Sequence, residues 1–117
     1  MNAPQPFDGV TLLDRLVHDP ARLSVLTALS ACRSADFVFL QGLTGLSAGN
    51  LSANITKLKD AGLVTVEKTF TPSYPRTTVA LTRTGRDAIR QHWKKLDQLR
   101  RAARDWRPVP DLKPVRG

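Results

Sequence analysis

The stretch LSAGNLSANITKLKDAG, from Leu46 to Gly62, constrains this chain more than any other. Ser47 is a good helix N-cap, because its hydroxyl can accept from a free backbone N–H of the first turn. Ala61-Gly62 supplies the close, since glycine takes the left-handed conformation that ends a helix. Between them Leu51, Ile55 and Leu58 recur at i, i+4 and i+7, so one narrow stripe is apolar and must face a core. At about 100° per residue the opposite side carries Gly49, Ala53, Thr56 and Asp60, flanked by Asn50, Ser52 and Lys57. A solvated helix face is ordinarily richer in long charged side chains. This one is small and polar, suited to sliding into a groove and hydrogen-bonding what lies there.

The rest of the chain sets the context. A length of 117 residues with 41% hydrophobic content fits one domain with a core that needs neither disulfides nor metals. No apolar run approaches a membrane span, and MNAPQPFDGV lacks the basic start and apolar segment of a secretory signal. The single cysteine, Cys32, excludes an internal disulfide framework, and the expected compartment is the cytoplasm. The net charge of +8 is unevenly placed. Residues 1–46 carry Arg15, Arg22 and Arg33 against four aspartates, a balance of −1, whereas residues 47–117 balance at +9. The excess begins where the constraining helix begins. A polyanionic partner follows, double-stranded DNA ahead of membrane, because no basic helix with a broad apolar face is evident.

In chain order, residues 1–9 with Pro4, Pro6 and Gly9 read as a flexible arm, and residues 10–106 as the folded domain. Val10 to Val17 can form a short helix, broken at His18-Asp19-Pro20. Asp19 as N-cap with Pro20 at the first helical position starts a second, core-central helix to about Cys32. After a connector at Ala35-Asp36-Phe37, with room for a one- or two-residue strand, Val38 to Thr44 is expected as a short helix with Leu40 and Leu43 inward. Gly45 stops it, and the tight junction to Ser47 matches a helix-turn-helix. Gly42 within it should reduce stability by roughly 1 kcal/mol relative to alanine. LVTVEKTF (Leu63 to Phe70) alternates as a half-buried strand, with Phe70 among its apolar positions. TPSYPR (Thr71 to Arg76) is expected as the loop and TTVALT (Thr77 to Thr82) as the return strand. Thr84, with Asp87 three residues on, is placed as the cap of a last helix reaching about Asp105. Residues 107–117, RPVPDLKPVRG, read as a disordered basic, proline-rich tail.

This element order resembles a winged helix-turn-helix regulator, a mainly α fold with a small β-hairpin. It resembles in particular the small bacterial transcriptional regulators allied to the MarR and ArsR groups. The likeness is carried by GLSAGNLSANITKLKDAGLV (Gly45 to Val64) and PRTTVALTRTGRDA (Pro75 to Ala88), about a third of the chain. These fit the pattern GNLSxHLxKLexAG followed by PRTxxxLTxxG nearly position by position, except that Asn54 stands where histidine is common. The resemblance implies that the N-terminal half of the reading helix enters the major groove and that the chain regulates transcription.

The expected contacts of Ser47–Lys59 are Ser47, Asn50, Ser52, Ala53, Asn54, Thr56 and Lys57. Asparagine can engage base edges, and lysine and hydroxyls mostly address phosphate or guanine. The helical wheel puts Ala53 and Thr56 deepest and Asn54 nearer the protein. From the hairpin come Lys68, Tyr74, Arg76 and Thr77, with Arg76 a candidate for a narrow minor groove. Ile89, Trp93, Leu96, Leu99, Ala103 and Trp106 fall at steps of three and four along the last helix. With Leu12, Leu13 and Leu16 they form the expected dimerisation surface. Arg83, Arg86, Arg90 and Lys94 serve either backbone contact or solubility. Cys32 is expected as an inert thiol rather than a redox sensor. His18 and His92 lie in different elements without a ligand cluster, so no metal site is expected, and no enzymatic motif or cofactor loop is present. The sum is a homodimeric, sequence-specific DNA-binding regulator, more a repressor than an activator. The alternative is the same fold used for protein interaction or as a non-selective architectural module. A small-molecule effector is compatible with the pattern, but no residue set names one.

Overall fold

The computed structural model describes Phe7, residues 13–70 and residues 74–108. The elements run α1 (Pro20–Ser30), β1 (Ala35–Asp36), α2 (Phe37–Thr44), α3 (Ala48–Asp60), β2 (Val64–Phe70), β3 (Pro75–Leu81) and α4 (Arg83–Asp105). α1 starts as its sequence dictates: the Asp19 carboxylate accepts from the Arg22 N–H, and Pro20 needs no acceptor there. It ends at Ser30, short of Cys32, whose thiol donates to the Ala28 carbonyl at 3.4 Å. α1 is the central helix, packing on α2, α3, α4 and β3. Its Val25, Leu26 and Leu29 meet Leu40, Leu51, Ile55, Leu58, Leu63, Val64, Val79 and Ile89 in one buried cluster. Each such leucine removed from water contributes about 1.5–3 kcal/mol.

Before α1 the structure departs from expectation. Residues 13–17 form turns rather than a helix, with the Leu16 N–H held by the Asp14 carboxylate at 2.9 Å. Residues 10–12 of that expected helix, Leu12 included, lie outside the described residues, as do most of the arm and of the tail.

The three strands form one antiparallel sheet in the order β1-β3-β2. β2 and β3 pair from Val64↔Leu81 to Phe70↔Pro75, and β1 adds two rungs, Ala35↔Val79 and Asp36↔Thr78. Pro75 and Arg76 thus belong to β3 and not to the loop. Proline is accommodated there because it is the first residue of the strand, where its missing N–H breaks no rung. The alternation of β2 fails at its far end. Val64 is buried, but Phe70 is 81% exposed, because the hairpin has by then run past the helices beneath it. In α2 Leu40 is buried and Phe37 packs half-buried against the core, whereas Leu43 is exposed beside Val38 and Phe39.

Two glycines fix how the pieces meet. Gly62, at φ 77°, ends α3: its N–H reaches the Lys59 carbonyl at 2.9 Å, and the Leu63 N–H reaches the Leu58 carbonyl at 2.9 Å. That Schellman pattern drops the chain straight into β2. Gly85 lies where α4 crosses the start of β2, and a Cβ there would collide with the Leu63 carbonyl oxygen. The cap of α4 is accordingly Thr82 and not Thr84. The Thr82 hydroxyl accepts from the Gly85 N–H at 2.9 Å and donates to the Gly62 carbonyl at 2.6 Å, joining the end of α3 to the start of α4.

Candidate nucleic-acid interface

α3 follows α2 across a short turn through Gly45, and Ser47 caps it by accepting from the Asn50 N–H at 3.1 Å. Leu51, Asn54, Ile55 and Leu58 are its buried residues. Ser47, Gly49, Asn50, Ser52, Ala53, Thr56, Lys57 and Lys59 are all exposed. The face is open to solvent from end to end.

Its two flanks have different neighbours. On one side Ser52, Ile55, Thr56 and Lys59 line a cleft of about 270 Å³ shared with Phe37, Val66, Lys68 and Thr77. Residues expected from separate parts of the sequence (Ser52, Thr56, Lys68, Thr77) therefore share one concavity between α3 and the sheet. Lys59 joins them, although its place on the helical wheel does not single it out. Lys57, Lys59 and Lys68 form no ion pair among the described residues. Lys59 and Lys68 at this cleft, and Lys57 on the far side of the same face, leave the face with a positive field.

The other flank faces α1, and here one expectation is corrected. Asn54, expected among the contacts, is turned into the domain and only 8% exposed. Its Oδ1 accepts from Arg22 Nη1 at 3.0 Å, and its Nδ2 donates to the Asn50 carbonyl at 2.9 Å and to Asn50 Oδ1. An amide carries about four hydrogen-bonding sites, and burial without partners would cost roughly 1–3 kcal/mol. Arg22 is itself held by the Leu16 carbonyl (2.6 Å), the Arg15 carbonyl (3.4 Å) and the Asp19 carboxylate (3.7 Å), with its side chain 14% exposed. Sequence reasoning misses this arginine. A signal is present all the same: a cation in the first turn of a helix opposes the macrodipole and needs an offsetting partner.

On the hairpin, Tyr74 is exposed, and Arg76 lies on the next-to-last rung, opposite Thr69. Its guanidinium reaches the Tyr74 hydroxyl at 3.4 Å and the Asp36 carboxylate at 3.9 Å. Arg76 thus sits at the flank of the hairpin, next to the start of α2, and not at its tip.

The family model of a winged helix DNA-binding domain matches residues 21–100. The chain belongs to that family. No curated protein matches it. Among solved structures, this winged helix domain is similar to a transcriptional regulator homologue from Pyrococcus horikoshii OT3. The two are 26% identical with a TM-score of 0.77, over 85% of this chain and 99% of that one. It also has the fold of the transcriptional repressor CouR bound to a 23-mer DNA duplex (22% identity, TM-score 0.66, 86% of this chain and 71% of that one). A MarR-family regulator from Silicibacter pomeroyi shares the fold at 20% identity and a TM-score of 0.59, over 84% of this chain and 63% of that one.

In winged-helix terms α3 is the second helix of the helix-turn-helix and the β2–β3 hairpin is the wing. α4 is the long helix expected to extend from the domain, and its apolar seam divides into two parts. Ile89, 4% exposed, belongs to the domain's own core, as do buried Leu13 and the adjoining Leu16. Ile89 and Leu13, buried within the domain, are thereby corrected from an intermolecular surface to an intramolecular one, while Leu16 is only half-buried. Trp93 and Trp106 are exposed, and Leu96 and Leu99 half-buried. Several cations of α4 are locally engaged, Arg90 with Asp87 at 3.6 Å and Arg100 and Arg101 with a shared Asp97 at 2.8 and 3.0 Å, whereas Arg83 and Lys94 form no ion pair among the described residues. The Arg100 hydrogen bond, foremost, holds the Asp97 carboxyl below its usual range. Arg86 reaches the Cys32 carbonyl at 3.5 Å. Buried under α4, His92 is 3% exposed, its ring 5.2 Å from that of His18, with neither nitrogen hydrogen-bonded among the described residues. Burial, then the neighbouring His18, lowers its pKa, while Asp14 opposes the shift and Lys95 adds to it.

Proposed function

We propose that this winged helix chain is a sequence-specific, double-stranded DNA-binding transcriptional regulator acting as a homodimer on a pseudo-palindromic operator, in the role of a repressor. The observation that carries the reading is the face of α3. It is open, built of small polar residues, and bordered by Lys57, Lys59 and Lys68, which have no carboxylate partner among the described residues. The DNA-bound repressor that shares the fold supports it.

On this reading Ser47, Asn50, Ser52, Ala53, Thr56 and Lys57 meet the major groove, and Lys68, Tyr74, Arg76 and Thr77 meet the backbone and the flanking minor groove. Trp93, Leu96, Leu99 and Trp106 are what remains of the dimer seam once Ile89 is assigned to the core. Two-fold symmetry then sets half-sites about 10 bp apart. The protein works on DNA in the cytoplasm, and among the described residues no helix is long and apolar enough to cross a membrane.

Selection of bound duplexes from a random pool is the test. An enriched inverted repeat, bound by a species of twice 12.9 kDa in sedimentation, is the expected result. A pool that enriches no sequence would leave the alternative, the same fold used for protein interaction or as a non-selective architectural module.

A further inference from the structure

The hydrogen bonds that hold Asn54 also dictate what Asn50 can offer to DNA. A guanidinium has donors only, so the atom of Asn54 facing Arg22 must be its oxygen. The amide nitrogen of Asn54 is thereby aimed the other way, at Asn50, where its two hydrogens meet the main-chain carbonyl and the side-chain Oδ1. Because that nitrogen only donates, the atom of Asn50 facing it must in turn be an oxygen. Each amide orientation follows from the one before it, and the sequence begins at a group whose polarity cannot reverse. Arg22 cannot swing away to break the chain, because the Leu16 and Arg15 carbonyls and the Asp19 carboxylate hold it from the other side.

We infer that Arg22, acting through Asn54, fixes the Asn50 amide with its NH₂ outward, so that this position of α3 presents donors to DNA and selects acceptor edges. The inference rests on the groove reading of α3 proposed above. Asn50 is exposed in the first turn of α3, and its Oδ1 is already engaged by Asn54. A side chain so oriented suits purine N7, guanine O6 or thymine O4. It disfavours the two-point pairing with adenine, which asks asparagine to accept as well as donate. Arg22 and Asn54 are positioning residues here: neither touches DNA, and both set what Asn50 recognises.

The test reverses the polarity. In Asn54→Asp the buried carboxylate keeps Arg22 as its partner but can only accept, so the Asn50 amide must turn to donate inward and expose its oxygen. Two readouts follow. In free protein, the Asn50 side-chain NH₂ should exchange with water rapidly in the parent and several-fold more slowly in Asn54→Asp, by ¹⁵N-resolved NMR. In random-duplex selection, the base pair whose preference is erased by Asn50→Ala should change from an acceptor edge in the parent to adenine N6 or cytosine N4 in Asn54→Asp, by about tenfold. Should Asn54→Asp fail to fold, Arg22→Gln releases the constraint, because glutamine can donate or accept, and the preference at that base pair should broaden.

Unchanged amide exchange together with unchanged base preference would overturn the inference. If Asn50→Ala alone alters selection, the groove reading survives and the polarity relay does not. If amide exchange responds as expected but no variant alters selection, Asn50 does not choose bases and the inference fails at its DNA step. If no sequence is enriched by the parent protein, the failure is that of the groove reading itself.

Discussion

α3 and the outer part of α4 are both amphipathic helices rich in polar residues, yet they use those residues differently. On α4 Arg90 has Asp87 within 4 Å, and Arg100 and Arg101 share Asp97, so part of that helix's charge is answered in place, although Lys94 has no ion pair among the described residues. Pairs of this kind are worth a few tenths of a kcal/mol and mainly keep a helix solvated. On α3, Lys57 and Lys59 have no such partner among the described residues, and the side chains between them and the N-cap are small. Total basic charge therefore says less than whether a charge is already matched. A surface that leaves cations unmatched and keeps its own side chains short is one that expects something to fill it.

The largest expected effect lies where the two helices are tied together. Gly85→Ala would drive a methyl into the Leu63 carbonyl, a main-chain atom that cannot give way without moving β2. A loss of about 3 kcal/mol in urea unfolding is expected. Retained stability would mean that α4 sits less tightly on the hairpin than the backbone geometry indicates.

The contrast between matched and unmatched cations is tested directly by charge removal. Lys57→Ala with Lys68→Ala should lower affinity for a selected duplex by tenfold or more. The slope of log K against log salt should flatten by about one unit for each phosphate that is no longer neutralised. Arg100→Ala with Arg101→Ala should leave both nearly unchanged. Equal losses from the two pairs would erase the distinction between the helices.

His92 gives the domain a pH dependence through α4. Its folded pKa lies below the ordinary 6.5, so below that pH the unfolded chain binds the proton more readily than the folded one. The contribution is neutral above about pH 6.5 and becomes destabilising as pH falls toward the folded pKa. Thermal melts of the parent should fall between about pH 7 and 5 more steeply than those of His92→Leu, which has nothing to titrate there. Parallel curves would show that His92 does not titrate against folding.

The smallest effects come from two glycines on open helix surface. A Cβ at Gly42 or Gly49 meets nothing within 4 Å, so alanine at either should stabilise by up to about 1 kcal/mol. Gly42→Ala should not alter DNA affinity. Gly49→Ala adds a methyl on the face proposed for the groove and should weaken binding while the melting temperature rises.

How much of the molecule is legible in the sequence differs by region for physical reasons. α3 is readable because its caps are local: Ser47 and Gly62 act within a few residues of themselves, and the apolar stripe has a single period. α4 misleads at Ile89 because its seam serves two partners at the same spacing. Periodicity records that a residue is buried, not by whom. The start of α4 is displaced by two residues because Thr82 and Thr84 both look like caps, and the choice falls to the contact of Gly85 with Leu63, far away in sequence. Asn54 reads as an outside residue because the wheel places it at a boundary. What draws it inward is Arg22, 32 residues earlier, and a hydrogen bond of that span leaves no local pattern.

On the proposed reading the open face of α3 meets base edges while the outer half of α4 does not touch DNA. Titrating ¹⁵N-labelled protein with a selected duplex and following backbone amides tests it most directly. Shifts should concentrate at residues 47–57 and along the hairpin, with residues 96–105 of α4 little changed beyond any effect of dimerisation. Shifts centred on α4, with residues 47–57 unmoved, would contradict it.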